Sequence, residues 1–354
     1  MLRAAAICLL FAGSTSVYAA DCPGNPDAIG TSRTIIVDPT EHPRVGSFQY
    51  PETLPLADKE VVLTLDDSPR RIYTEKVLDI LAAHCVKATY FLIGDPAREF
   101  PKIVQRIAAE GHTIGTHSMK HPLSFNRMGT DRMRKEVEDG IAAVDAALGE
   151  GRKSAPFFRI PGLLRSEAAD NFIQSKGLMI WSTDVMAQDW KRRINEAGIV
   201  RRALDRIAAK GKGILLLHDI HPKTAAALPV LLGELKARGY RIVHVVPASP
   251  EQPKTPTEPE AWVFRAPEKS PLPVLLMADV KQLNQNLSEQ TSMSGVDFCG
   301  EKAGTRSRRF AGGKRLAWHK RHQVAKATPI RTAKAKPPAV KLRQEAAVTT
   351  GRPD

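Results

Sequence analysis

Short apolar runs alternate with helix-like segments between residues 60 and 247. Val61–Leu65 is an unbroken apolar and β-branched run, which is typical of a strand buried on both faces. Val77, Ile80 and Leu81 then recur at the spacing of one helix face. The same alternation predicts further strands near residues 88–93, 113–115, 157–159, 178–180, 213–217 and 240–246.

Strands that alternate with helices predict a parallel sheet with crossover helices. Periodicity alone does not separate an open doubly wound sheet from a barrel. About seven strand candidates over residues 60–247 favour a barrel-like closure.

The N-terminus has the pattern of an export signal. Met1–Arg3 carries a positive charge, Ala4–Ala12 is apolar, and small residues lead to Ala20. Residues 1–20 are therefore predicted to be a signal peptide, which places the mature protein in the periplasm or outside the cell. The apolar run is too short to cross about 30 Å of hydrocarbon. We expect no transmembrane segment in the mature chain.

Composition changes sharply along the rest of the chain. Residues 21–59 are predicted to be an extended lead-in, 60–247 the main folded domain, and 248–300 a Pro-rich linker and packing segment. Residues 301–354 carry 15 of the 52 Lys and Arg residues and only three acidic ones. This basic segment is predicted to be disordered. It is either a solvated extension or a segment that binds an anionic envelope polymer or membrane surface; export argues against nucleic acid.

Three of the four cysteines, Cys22, Cys85 and Cys299, remain after removal of the signal. An exported protein can form a disulfide, and an odd number leaves one thiol unpaired. A disulfide between Cys22 and Cys299 would join the two ends of the folded region, and Cys85 fits a small buried apolar residue better, but the pairing is left open. No cysteine pair has the spacing of a structural zinc site.

Polar residues follow two of the predicted strands. Asp66 and Asp67 end the first, and His117 and His121 follow the third at a spacing of four. Taken separately, these are also compatible with a solvated turn and a surface histidine pair. Because the carboxyl ends of parallel strands face one side, the four side chains are expected to converge. Two histidines and one carboxylate with an open position form a hydrolytic metal site.

Three further strand ends carry polar or aromatic residues. Arg159–Gly162 follows one strand, Asp189-Trp190 lies beyond the next, and Leu216–Asp219 ends the most apolar strand. His218 directly follows Ile-Leu-Leu-Leu, a position more typical of a functional or satisfied buried histidine than of an exposed one.

These motifs resemble those of the NodB-like polysaccharide deacetylases, carbohydrate esterase family four. The resemblance covers residues 60–245 and five motifs in family order. The matching segments are Thr64–Pro69, His117–His121, Arg159 with Pro161, Asp189-Trp190, and Leu216 with His218. It implies a distorted (β/α) barrel of about seven parallel strands, in accord with the strand count.

The resemblance also implies roles for individual residues. One divalent metal, zinc in the first instance, would be bound by Asp67, His117 and His121. Asp66 would be the general base and His218 the general acid.

The remaining implied roles concern orientation and substrate binding. Arg159 would orient Asp66, and Asp189 would pair with Arg159. The residues implied to bind the substrate, with Trp190 and Leu216 forming a pocket for the acetyl methyl group, are Pro161, Gly162, Trp190 and Leu216.

Three positions depart from the family pattern. Ser68 replaces a glycine and would be strained if the site requires a positive φ. Leu65 replaces a phenylalanine, and Gly162 stands where many members carry an aromatic residue. These changes bear on substrate range more than on the reaction.

The sequence therefore predicts removal of N-acetyl groups from an amino-sugar glycan, with chitooligosaccharide, peptidoglycan and exopolysaccharide left open. One alternative is a non-catalytic envelope protein that binds glycan. Another is a related hydrolase that acts on an O-acetyl ester or a cyclic amide.

Overall fold

A computed structural model describes residues 22–265. The predicted signal peptide, Cys299 and the basic segment lie outside the described residues. The strands are β1 (Thr31–Val37), β2 (Arg44–Val45), β3 (Glu60–Asp66), β4 (Thr89–Leu92), β5 (Thr113–Thr116), β6 (Phe157–Phe158), β7 (Met179–Trp181), β8 (Val185–Met186), β9 (Gly213–His218) and β10 (Arg241–Pro247).

Helices connect the strands and cover the outside of the sheet. They are α1 (Tyr73–Ala83), α2 (Gly94–Glu99), α3 (Pro101–Ala109), α4 (Thr130–Leu148), α5 (Glu167–Ser175), α6 (Glu196–Lys210) and α7 (Pro222–Ala237). None of the helices within residues 22–265 has the length and apolar composition needed to cross a bilayer.

The ladder between named strands is parallel throughout the described residues. It runs β8-β9-β3-β4-β5-β6-β7-β2, and β10 pairs with the start of β3 and carries β1 on its other side. In the described residues the ladder ends at β2 on one side and at β8 on the other, and no pairing joins these two strands, so the barrel is open between them. This confirms the predicted distorted (β/α) barrel.

All seven predicted strands form, within one or two residues of the predicted positions. β3 shows why: all seven of its residues are buried, so an uninterrupted apolar run is required. The lead-in contributes two more strands, β1 and β2, and β8 is a third addition. β2 and β8 have two residues each, too few to give a periodic signal.

A buried aromatic cluster fills the inside of the barrel. The Trp181 ring lies 5.7 Å from that of Phe91 and 5.0 Å from that of Phe157. All three side chains are wholly buried. The cluster also contacts a residue that follows a strand end, because the guanidinium carbon of Arg159 lies 4.2 Å from the centre of the Phe91 ring.

The segment before β3 is attached to the barrel by one buried carboxylate. Asp184 accepts hydrogen bonds from the backbone N–H of Ser47, the hydroxyl of Thr53 and the backbone N–H of Ile214, each at 2.7 Å. Further along, Glu52 forms an antiparallel bridge with Val263. Residues 44–53 are thus fixed against the sheet.

The cysteine pairing differs from the expectation. Cys22 forms a disulfide with Cys85, with their Cα atoms 5.7 Å apart. Of the pairings left open by the sequence, the structure therefore has Cys22–Cys85, and Cys85 is not the buried free thiol that its sequence context favoured. The start of β1 explains the pairing, because Thr31 donates its backbone N–H to the Cys85 carbonyl at 3.1 Å and brings the N-terminal segment to the end of α1.

Helix α4 packs directly on the loop that follows β5. A Cβ added at Gly140 would lie 2.6 Å from the carbonyl carbon of Ser118 and 2.8 Å from the backbone nitrogen of Met119. Met119 in turn donates its N–H to the Glu136 carbonyl at 2.9 Å. Only glycine permits this approach of helix and loop.

Two helical glycines are therefore expected to respond oppositely to alanine. Gly140→Ala should lower the free energy of unfolding by about 1–3 kcal/mol, because the methyl group displaces backbone. Gly233, in α7, has nothing within 4 Å of the added Cβ, so Gly233→Ala should stabilise by up to about 1 kcal/mol through helix propensity. Urea denaturation of both variants measures the change in the free energy of unfolding. A change of the same sign in both would contradict the close packing at Gly140.

Candidate active site

A cavity of about 290 Å³ opens at the carboxyl ends of the strands. Eight of the eleven predicted site residues line it: Asp66, Asp67, His117, His121, Gly162, Trp190, Leu216 and His218. Arg159 and Asp189 lie behind it, in contact with Asp66 and His218 respectively. Pro161 is buried at the start of a 3-10 turn (Pro161–Leu163) and is not among the lining residues.

Asp67, His117 and His121 form a compact group that could hold a metal ion. The Nε2 atoms of His117 and His121 lie 3.6 and 3.5 Å from Oδ1 of Asp67. One ligand atom from each residue lies within 4.8 Å of the other two. Oδ1 of Asp67 is buried without a hydrogen-bond partner in the described residues, as a cation ligand would be.

The tautomer of His117 suits this role. Its Nδ1 donates to the backbone carbonyl of Arg159 at 2.6 Å, which leaves the lone pair of the neutral ring on Nε2, facing Asp67. Burial lowers the pKa of His117 to about 4, so the ring is neutral near pH 7. Burial opposes the charge of Asp67, but His121, His218 and His117 outweigh it and lower the pKa of this carboxyl.

Two turns with left-handed residues aim these side chains. Asp67 has φ 72°, and Ser118 and His121 have φ 64° and 54°. The second turn is held because His121 donates its N–H to Oγ of Ser118 at 3.0 Å. Such conformations disfavour side chains and persist where the surroundings fix them.

Ser68 is not strained in the way its replacement of glycine suggested. The left-handed residue of this turn is its neighbour Asp67. The Ser68 side chain is fully buried and forms a short hydrogen bond with a carboxylate oxygen of Asp219. The hydroxyl therefore has a partner.

Asp66 is held by a buried arginine. Nη1 of Arg159 donates to Oδ1 of Asp66 at 2.6 Å and to the hydroxyl of Thr64 at 2.8 Å. The same guanidinium donates to the carbonyls of Trp181 at 3.2 Å and Ser182 at 2.8 Å. With four acceptors, the guanidinium is fixed, and one oxygen of Asp66 remains for other contacts.

Asp189 contacts His218, not Arg159 as the resemblance implied. Its Oδ1 lies 2.8 Å from Nδ1 of His218, and Oδ2 accepts the backbone N–H of His218 at 2.6 Å and the Thr224 hydroxyl at 2.8 Å. Burial opposes protonation of His218, but the charge and hydrogen bond of Asp189 raise its pKa to about 10. Asp189 therefore orients the imidazole of His218 and favours its protonated form.

The other wall of the cavity is apolar. Leu163, Met186 and Leu216 form a buried cluster, and Phe48 and Trp190 pack against it. Gly162 is in the left-handed region (φ 59°), and a Cβ there would meet Leu123 at 3.4 Å. The predicted Trp190 and Leu216 thus belong to a larger apolar surface.

Comparison with known proteins gives a consistent result. Residues 54–181 match the family model described as polysaccharide deacetylase. A peptidoglycan-N-acetylglucosamine deacetylase of Bacillus cereus is 35% identical over 188 residues, 51% of this chain and 67% of the relative. The chain belongs to the polysaccharide deacetylase family. The resemblance expected from the five motifs is confirmed.

The matched region covers very different shares of other relatives of this family. PgdA of Listeria monocytogenes, a peptidoglycan-N-acetylglucosamine deacetylase, is 36% identical over 190 residues, which are 53% of this chain and 38% of that protein. The solved Bdellovibrio bacteriovorus peptidoglycan deacetylase has a TM-score of 0.55 at 32% identity, covering 62% of this chain and 60% of that one. The Bc1960 peptidoglycan N-acetylglucosamine deacetylase has a TM-score of 0.50 at 28% identity, covering 62% and 96%.

The sequence reasoning missed six residues that line the cavity. Several of these residues lie next to the five motifs, so longer motif segments would have included them. Met186 lies in the two-residue strand β8, which is too short to show a periodic pattern. The six are Leu123, Ile160, Leu163, Met186, Ile220 and His221.

Loss of a metal ligand should abolish tight metal binding while the fold persists. Even residues that only orient ligands cost about 10–100-fold in affinity, so His117→Ala and Asp67→Asn are each expected to cost at least as much. Elemental analysis after dialysis and competition with a chelating dye measure this.

His84→Ala provides the control, since His84 is the partly exposed residue that caps the C-terminus of α1. It should bind metal like the wild type. If the His117 and Asp67 variants also retained wild-type affinity, the assigned ligand group would be wrong.

Proposed function

We propose that the protein is a metal-dependent hydrolase that removes N-acetyl groups from an amino-sugar glycan. The observation that carries this proposal is one cavity that combines a candidate metal-ligand group, a carboxylate fixed by Arg159 and a histidine paired with Asp189. Asp67, His117 and His121 are the proposed ligands, Asp66 the general base and His218 the general acid. The named deacetylases among its relatives support the same reaction.

Two imidazole nitrogens and one carboxylate oxygen suit zinc and other first-row divalent ions better than calcium or magnesium. We propose zinc. A cation held there would polarise the amide carbonyl and lower the pKa of a water molecule, which supplies the nucleophile. The hydrogen bond that orients a metal-binding histidine is already present, because the backbone carbonyl of Arg159 fixes the ring of His117.

Asp66 is suited to accept the proton of that water. Oδ1 is committed to Arg159, whereas Oδ2 points toward the ligand group and lies 3.9 Å from Nε2 of His117. Arg159 fixes the direction of the carboxylate before the substrate binds. Geometry of this kind is a precondition for general base catalysis.

His218 is suited to protonate the departing sugar nitrogen, since an amine anion is too poor a leaving group. Asp189 binds Nδ1 of His218, which directs Nε2 toward the cavity. The proposed acid and base thus have partners of opposite charge: Arg159 pairs with Asp66, and Asp189 pairs with His218.

The apolar cluster of Leu163, Met186 and Leu216 is the proposed pocket for the acetyl methyl group, with Trp190 beside it. Among glycans we propose peptidoglycan, whose N-acetylglucosamine is named in several relatives. Peptidoglycan lies outside the cytoplasmic membrane, which accords with the predicted signal peptide. We also propose that the basic segment, residues 301–354, binds an anionic envelope surface.

Acetate release from N-acetylglucosamine oligomers and from peptidoglycan tests the reaction. Asp66→Asn and His218→Gln are each expected to lower kcat by about 10²–10⁴-fold, the usual contribution of a positioned acid or base. Asp205→Asn, at an exposed carboxylate of α6, should be unchanged. Wild-type turnover in both site variants would refute the assigned roles, and turnover of O-acetyl esters alone would change the substrate class.

The pH dependence of kcat/KM should report the His218–Asp189 pair. Asp189 raises the pKa of His218, so Asp189→Asn should lower that pKa. The reaction needs the protonated ring, so the alkaline limb governed by His218 should move to lower pH. An alkaline limb at unchanged pH, with Asp205→Asn as the reference, would remove His218 as the general acid.

A further inference from the structure

His221 is a cavity residue that the proposed mechanism leaves without a role. It lines the same cavity as His218 and lies at the N-terminus of α7. Its carbonyl accepts the N–H groups of Thr224 at 3.1 Å and Ala225 at 3.3 Å, so the backbone starts the helix. Its side chain makes no capping hydrogen bond.

The ring of His221 is therefore available to a ligand. It is half-buried, and within residues 22–265 neither ring nitrogen has a hydrogen bond or ion pair. In the described residues the metal-ligand group comprises Asp67, His117 and His121, so His221 is not part of it. A side chain that neither caps its helix nor binds metal, yet faces a cavity, has a donor and an acceptor to offer.

The position of the ring indicates what it faces. Among residues 22–265, the ring of His218 has two ring neighbours: Trp190, with centroids 5.2 Å apart, and His221, with centroids 6.1 Å apart. Trp190 also packs on the apolar cluster that would take the acetyl methyl group. His221 does not belong to that cluster. It lies beside the proposed acid, where the sugar that carries the leaving nitrogen must be.

The charge state of the His221 ring indicates that its ligand is a neutral polar group. Burial, together with the positive charge of His218, lowers the pKa of His221, whereas Asp189 and Asp67 oppose this more weakly. A neutral imidazole has one donor and one acceptor, as does a sugar hydroxyl. An anionic group would find no positive charge on this ring near pH 7.

We propose that His221 binds a hydroxyl group of the amino sugar whose nitrogen is released at His218. The residue then acts as a positioning residue for the sugar ring and takes no proton in the reaction. This inference rests on the proposed function. It extends that function by assigning a sugar-binding contact to a residue outside the five motifs.

Steady-state kinetics on N-acetylglucosamine oligomers provides the first test. Loss of one neutral hydrogen bond should raise KM about 3–10-fold for His221→Ala, with kcat within about twofold, because the contact is equally strong before and during the reaction. His221→Gln retains a donor and an acceptor and should recover much of the affinity. His84→Ala is the matched control and should behave like the wild type.

Binding without turnover provides the second test and separates this inference from the proposed reaction. In the metal-loaded Asp66→Asn protein, the Kd for N-acetylglucosamine tetramer, measured by calorimetry, should rise by the same factor when His221→Ala is added. The change in Kd can be measured even if the wild type releases no acetate. In that case the proposed reaction is wrong, but the sugar contact of His221 is still tested.

Three outcomes would overturn the role of His221. They are an unchanged Kd and KM, a fall in kcat at constant Kd, and a loss of bound metal in His221→Ala by elemental analysis. The first would leave no contact, the second would make the residue part of the chemistry, and the third would make it a metal ligand.

Discussion

The site depends on a single buried cation, the guanidinium of Arg159. Its side chain is wholly buried, where an unpaired charge would be very costly. Asp66 neutralises it, and Thr64 and two carbonyls take its remaining hydrogen bonds. The backbone carbonyl of Arg159 also accepts a hydrogen bond from Nδ1 of His117. One residue therefore fixes both the direction of the proposed base and the tautomer of a proposed ligand.

A second charge pair serves the opposite purpose. Asp189 holds His218 as a cation through two contacts, to the ring and to the backbone N–H, so ring and strand end move together. The resemblance alone linked Asp189 to Arg159. The structure instead gives each of these two proposed groups its own buried partner of opposite charge, Arg159 for Asp66 and Asp189 for His218.

The sequence predicted the barrel and the convergence of strand ends because both follow from long apolar runs and parallel topology. It did not predict that Asp189 contacts His218, since a contact between side chains on different strand ends leaves no periodic pattern in the sequence. The disulfide partner of Cys85 stayed open for a similar reason, because the pairing depends on β1, an edge strand with only a short apolar stretch. At Ser68 the strain expected of the residue falls on Asp67, one position earlier.

The cavity is divided chemically, and this division restricts how a substrate can lie. Leu163, Met186 and Leu216 form one wall, whereas carboxylates and imidazoles form the other. An acetamido group has a methyl on one side of its carbonyl and a nitrogen on the other. In the proposed substrate, a methyl group on the apolar wall would direct the carbonyl toward the candidate ligand group and the nitrogen toward His218. The reverse orientation would bury the polar nitrogen against leucine without a hydrogen bond, so orientation and chemistry follow from the same division.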